Sequence, residues 1–115
     1  MSYTKRLKPS HREKKRYIVY EIKGEEFKDM NNRIIAKHLK EELFTLLGVW
    51  DSARAGIIEI TQRGNRGIIR TTTKQLEKVI ATLGLIRRLN ERKIRIDTIY
   101  ISGTLKKAKE MLKEV

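Results

Sequence analysis

Cysteine is absent from this 115-residue chain, which excludes disulfides, thiolate catalysis and cysteine-held zinc. Proline occurs once, at Pro9. No apolar run approaches the roughly 20 residues of a membrane span, and the opening MSYTKRLKPS lacks the apolar stretch of a secretion signal. The expectation is a cytoplasmic protein with no membrane partner. Aromatic residues make up only 6% of the chain. Acid is scarce as well, with 14 Asp and Glu against 27 Lys and Arg, a formal charge of +13.

What is present is one domain's length of chain with enough aliphatic residues, in a composition 39% hydrophobic, to bury a single core. A charge this one-sided repels itself in a compact state, so a polyanionic partner is its natural explanation. Nucleic acid is the first reading, because each phosphate contact releases a counterion. An anionic membrane would require an amphipathic basic helix or a lipidation signal. Thermophile proteins also carry many charges, but they balance Lys with Glu, and this chain does not. The excess is clustered. Residues 1–16 hold seven Lys or Arg against one Glu, 63–74 hold four and no acid, and 87–95 hold five against one, whereas 17–62 are net acidic.

Residues 1–16 read as a basic, extended arm that stays mobile until it binds, with a single domain over 17–115. Tyr17–Lys23 (YIVYEIK) is β-branched and aromatic and reads as a strand. From Asp29 the period becomes helical: Met30, Ile34, Ile35, Leu39, Leu43, Leu46 and Leu47 recur at three and four, and Gly48 can close the helix. Ala55–Thr61 reads as a second strand, joined by the turn Arg63–Gly67 to Ile68-Ile69-Arg70 as a hairpin. Thr72 and Gln75 have capping-box spacing. Leu76, Val79, Ile80, Leu83, Ile86 and Leu89 continue a second helix, which Asn90 ends. Lys93–Ile101 is a fourth strand, and Thr104 can cap a last helix carrying Leu105, Ala108, Met111 and Leu112. The stripes Ile34, Leu39, Leu43 and Val79, Leu83, Ile86 are expected in the core. This order, βαββαβ plus a terminal helix, is that of an α+β, ferredoxin-like or RNA-recognition-motif-like antiparallel sheet with two helices on one face. The other face is left open or partly covered by the C-terminal helix.

An RNA-recognition motif stacks bases on aromatics of its third strand. Here that strand is Arg66-Gly67-Ile68-Ile69-Arg70-Thr71-Thr72, with no aromatic. Contacts to phosphate and sugar are therefore expected, which position RNA without reading its sequence. The candidates are Lys5, Arg6, Arg12, Lys14, Lys15 and Arg16 of the arm, Arg63, Arg66 and Arg70 of the hairpin, and Lys106, Lys107 and Lys109 at the last helix. For the arm the bland alternative is a solvated tail, and for the hairpin ordinary exposed strand charge. The lysines sit where they oppose the helix dipole, which favours a phosphate role. His11 and His38 are single histidines, and His38 fits a helix-surface or boundary position better than a metal or acid–base role. Glu25, Glu26 and Asp29 fit a solvated turn better than an ion site. Gly64 and Gly67 lack the following helix of a phosphate loop. No catalytic constellation is legible, so catalytic residues, metal ligands and bound cofactors are all expected to be absent from this chain.

Leu7-Lys8-Pro9-Ser10-His11-Arg12-Glu13-Lys14-Lys15-Arg16-Tyr17 resembles the L-x-P-[ST]-x-R-[ED]-[KR]-[KR]-R-Y opening of the archaeal ribonuclease P protein component 2 family, shared in outline with a eukaryotic small subunit. Arg66–Arg70 resembles that family's hairpin strand, and Ile101-Ser102-Gly103-Thr104-Leu105-Lys106 its S-G-T-[LI]-K close. One departure is Val49-Trp50-Asp51-Ser52, where a glycine-rich turn is expected before Ala55-Gly56. The resemblance implies a subunit of an RNA-based endoribonuclease that removes the five-prime leader of precursor tRNA. The catalyst is then an RNA holding Mg²⁺. The implied partners are that RNA, a second protein (component 3) and, indirectly, precursor tRNA, with assembly as a dimer of protein pairs. The alternatives are a ribosomal-type RNA-binding module of the same fold, or a ferredoxin-like regulatory domain whose basicity is incidental.

Overall fold

The computed structural model describes residues 14–24, 30–55 and 60–113, with side chains of the first helix placed through Gly48. The order is β1 (Lys15–Gly24), α1 (Asn32–Ala55), β2 (Ile60–Arg63), β3 (Arg66–Thr72), α2 (Leu76–Leu85), β4 (Arg88–Leu89), β5 (Arg92–Ser102) and α3 (Leu105–Lys113). The strands form one antiparallel sheet in the order β2-β3-β1-β5-β4. Without the short β4, this is the ferredoxin-like arrangement, with β1 central.

Alternation along β1 divides the core between two faces. Ile18, Tyr20 and Ile22 point to the side covered by α1 and α2, where they meet Ile35, Leu39, Leu43 and Leu47 of α1, Val79 and Leu83 of α2, and Ile69 of β3. Val19 points the other way, onto a smaller cluster with Ile68, Ala108 and Leu112, flanked by Tyr17, Ile99, Tyr100 and Met111. The terminal helix therefore closes the face that the βαββαβ core leaves bare. A bulge aids this: β5 shifts register between Val19 and Tyr20, so that Tyr100 faces Val19 while Thr98 faces Tyr20. The extra residue, Ile99, joins Tyr100 beneath α3.

Local chemistry departs from the sequence reading in several places. β1 begins at Lys15, so Lys15 and Arg16 are strand residues. α1 starts after Asn31, whose Oδ1 accepts the Ile34 amide at 2.9 Å, the usual N-cap bond. Gly48 does not end α1. It adopts φ 82° within it, and helical backbone resumes through Val49–Ser52 to Ala55, where a turn was expected. Ile34 is 39% exposed and Leu46 47%, so both lie off the buried stripe. The capping box at Thr72 does not form, because Thr72 closes β3 and Gln75, which precedes α2, makes no side-chain cap bond. The second helix stops at Leu85, four residues earlier than its apolar period suggests. Leu89 instead belongs to β4, and Asn90 and Glu91 turn the chain with φ of 49° and 66°.

That two-residue turn has positive φ at both positions, the geometry that Asn-Gly serves best. Glutamate in the left-handed region is strained. Glu91→Gly should stabilise the fold by about 0.5–1 kcal/mol, read as a higher urea midpoint with unchanged slope.

Candidate nucleic-acid interface

The register decides which cations are available to a ligand. At the end of the sheet where β1 finishes, positive residues face acids. Arg66 Nε lies 3.0 Å from Glu21 Oε2, and Lys23 Nζ lies 3.6 Å from Glu21 Oε1 and 3.4 Å from Asp97 Oδ2. Arg95 Nε lies 3.3 Å from Asp97 Oδ1. Arg66 also donates through Nη1 to the Met111 carbonyl at 3.3 Å, tying the C-terminal turn of α3 to β3. Its place in this network makes Arg66 a structural anchor as well as a surface cation. Arg63 is exposed and pairs directly across from Arg66.

The opposite end of the sheet, where β1 starts, differs. Lys15 pairs across from Thr72, Arg16 from Thr71 and Tyr17 from Arg70. On the other side of β1, Tyr17 pairs across from Ser102, where β5 turns into α3. The Lys14 carbonyl accepts the Thr73 amide at 2.9 Å, which sets exposed Lys14 beside the turn that carries exposed Lys74. α3 begins at this end. The Ser102 hydroxyl accepts the Thr104 amide at 3.0 Å, and Thr104 Oγ1 accepts the Lys107 amide at 3.3 Å, which caps the helix as its sequence suggested. Its first turn contains no acid. Lys106, Lys107 and Lys109 are exposed, with Lys107 held 3.6 Å from Glu110.

Of the candidates, this geometry brings Lys14, Lys15, Arg16, Arg70 and Lys106 to one end and sends Arg63 and Arg66 to the other. Lys5, Arg6 and Arg12 lie outside the described residues, as do His11, Glu25, Glu26 and Asp29. Two sets of cations were missed. Lys74 has no motif to mark it and is recognised only because Thr73 bonds to Lys14. Arg88 and Lys93 face one another directly in the β4–β5 pair, a like-charge juxtaposition that costs stability unless an anion screens it. The density of positive charge in residues 87–95 was the available signal. Tyr20 is fully buried, with its hydroxyl donating to Gln62 Oε1. Burial pushes the pKa of this phenol well above its ordinary value. Tyr17 and Tyr100 are half-buried beneath α3. The helix thus occupies the surface on which an RNA-recognition motif would stack bases.

Among the described residues, no group of three or more His, Asp or Glu could hold a metal ion, and no helix is long and apolar enough to cross a membrane.

Comparison with known proteins agrees with this architecture. The model of the Rpp14/Pop5 family matches residues 16–113. Ribonuclease P protein component 2 of Archaeoglobus fulgidus is 33% identical over 111 residues, covering 96% of this chain and 99% of the relative. The protein of the same name from Thermococcus gammatolerans is 33% identical over 107 residues, covering 91% and 88%. Among solved structures, a chain of the cryo-EM structure of yeast ribonuclease MRP superposes with a TM-score of 0.61 over 88% of this chain and 87% of its own, at 10% identity, a likeness of fold. From the match across the whole folded domain and a third of residues shared with full-length relatives, the chain belongs to the Rpp14/Pop5 family, that of archaeal ribonuclease P protein component 2.

Proposed function

We propose that this protein is a subunit of ribonuclease P that supports a catalytic RNA in removing the five-prime leader of precursor tRNA, and that it does so by holding RNA phosphates. The observation that carries the reading is the asymmetry of the sheet. One end pairs Lys23, Arg66 and Arg95 with Glu21 and Asp97. The other end gathers Lys14, Lys15, Arg16, Lys74 and Lys106, and none of these has an acidic partner within ion-pair distance among the described residues. Cations placed along a folded RNA offset its phosphate repulsion, and backbone contacts set register without reading sequence. The covered β-sheet favours that mode over base stacking.

In this reading the basic arm, residues 1–16 of the sequence, adds Lys5, Arg6 and Arg12 to the RNA contact. The chain itself contributes no catalytic group. Mg²⁺ belongs to the RNA, and a second protein, component 3, joins this subunit in a cytoplasmic assembly built as a dimer of such pairs. Reconstitution tests the proposal. With the cognate ribonuclease P RNA and component 3, at Mg²⁺ too low for the RNA alone, addition of this protein should raise precursor tRNA cleavage at least about tenfold, the scale of one or two charge-assisted contacts. An unchanged rate would sink it.

A further inference from the structure

Thr72 is 2% exposed, and among the described residues its hydroxyl has no hydrogen-bond partner. Two residues earlier on the same strand, half-buried Arg70 leaves its Nε equally without one. Alternation places both side chains on the face of β3 that carries Ile68, the face on which α3 packs. Across the strand pair they meet Tyr17 and Lys15. Buried polar atoms in folded chains are nearly always bonded, and each exception calls for an explanation. Here two exceptions fall side by side, at the acid-poor end of the sheet. The acids that β1 and β5 supply to this face, Glu21 and Asp97, are at its other end, engaged with Arg66, Lys23 and Arg95.

We infer that Arg70 and Thr72 form an anion site for a phosphodiester group, with Lys15 as the nearby counter-charge. A guanidinium edge offers two parallel N–H donors matched to two phosphate oxygens, and a threonine hydroxyl can donate to a third. Neither atom meets solvent in the free chain, so the Arg70 side chain must turn for the anion to enter. The site then exchanges two orphaned donors for charge-assisted bonds. This inference rests on the RNA-supporting role proposed above and names a site within it.

The full chain supplies the test. Thr72→Val keeps the shape of the side chain and removes the hydroxyl. It should raise Tm by a few degrees, because an unsatisfied buried group is gone, and it should weaken binding of ribonuclease P RNA three- to tenfold. Thr72→Ser, which retains the hydroxyl, should keep most of the affinity, and Arg70→Lys should lose about tenfold despite its unchanged charge. Titration of the free protein with inorganic phosphate, followed by the Arg70 Nε–Hε resonance, separates a lone anion from a phosphodiester. A shift that RNA reproduces at far lower concentration supports the proposal. A shift with phosphate but none with RNA assigns the site to free phosphate and overturns it. So does a Thr72→Val protein that is more stable yet binds RNA as tightly as the parent, and in that case the broader reading of the basic end still stands. If the parent shows no salt-dependent RNA binding at all, the RNA-supporting role itself fails and the phosphodiester site falls with it.

Discussion

Replacing Gly67 with alanine should destabilise the fold by about 3 kcal/mol, the upper range for overpacking a closed core. A Cβ at Gly67 would run into the hydroxyl and ring of Tyr20 and come 2.7 Å from the Thr61 carbonyl. None of these can yield easily. Tyr20 is fully buried and bonded to Gln62, and Gln62 Nε2 is itself held by the Gly64 carbonyl at 2.7 Å. Thr61 pairs with Ile68 in the same hairpin. Urea unfolding should show the loss as a lower midpoint. Tyr20→Phe alone should cost about 1–3 kcal/mol by leaving Gln62 Oε1 buried without a donor. Together the two changes should cost less than their sum by about 1 kcal/mol, since contacting residues couple. Full additivity would mean that Gly67 is required for some reason other than the tyrosine.

Neutralising the basic end should have the largest effect on RNA. With Lys14, Lys15, Lys74 and Lys106 changed together to Gln, affinity for ribonuclease P RNA at 0.1 M salt should fall about 100-fold or more. The slope of log affinity against log salt should flatten by about three, roughly 0.7–0.9 for each of the four phosphates no longer neutralised. All four side chains are exposed, so the unfolding midpoint should move by less than about 0.5 kcal/mol. The control, compared per charge removed, is Lys23→Gln with Arg95→Gln at the other end, where Glu21 and Asp97 already offset the charge. That pair should leave the slope nearly unchanged. Equal losses from the two ends would show that net charge alone, and not its placement, governs binding.

Much of the architecture was legible because long elements declare their period. The strands at Tyr17–Lys23 and Lys93–Ile101, the spacing of Leu39, Leu43 and Leu47, and the cap at Thr104 all reappear in the structure. The errors fall where two local signals compete. Thr72-x-x-Gln75 has the spacing of a capping box, yet pairing with Lys15 and burial on the α3 face hold Thr72 in the sheet. Leu89 continues a helical period, but it is buried as a strand residue because Asn90 and Glu91 reverse the chain. Neither residue is glycine, so the turn carried no clear mark. Gly48 looks like a helix end. Its kink merely redirects α1, because a positive φ interrupts the helix for a single residue.

The candidate site divided along the same line. From sequence alone came the sign of the charge, its clustering, the missing aromatics on the third strand and the family motifs at both ends of the domain. Those are properties of composition and order, and folding does not alter them. Which cations remain available was decided by register. Glu21 reaches Arg66 across a separation of 45 residues, and Asp97 reaches Lys23 from a different strand. Ion pairing acts over a few ångströms and is screened beyond about 10 Å, so only the tertiary structure could show that Lys23, Arg66 and Arg95 face acids while, among the described residues, Lys14, Lys15 and Lys74 do not.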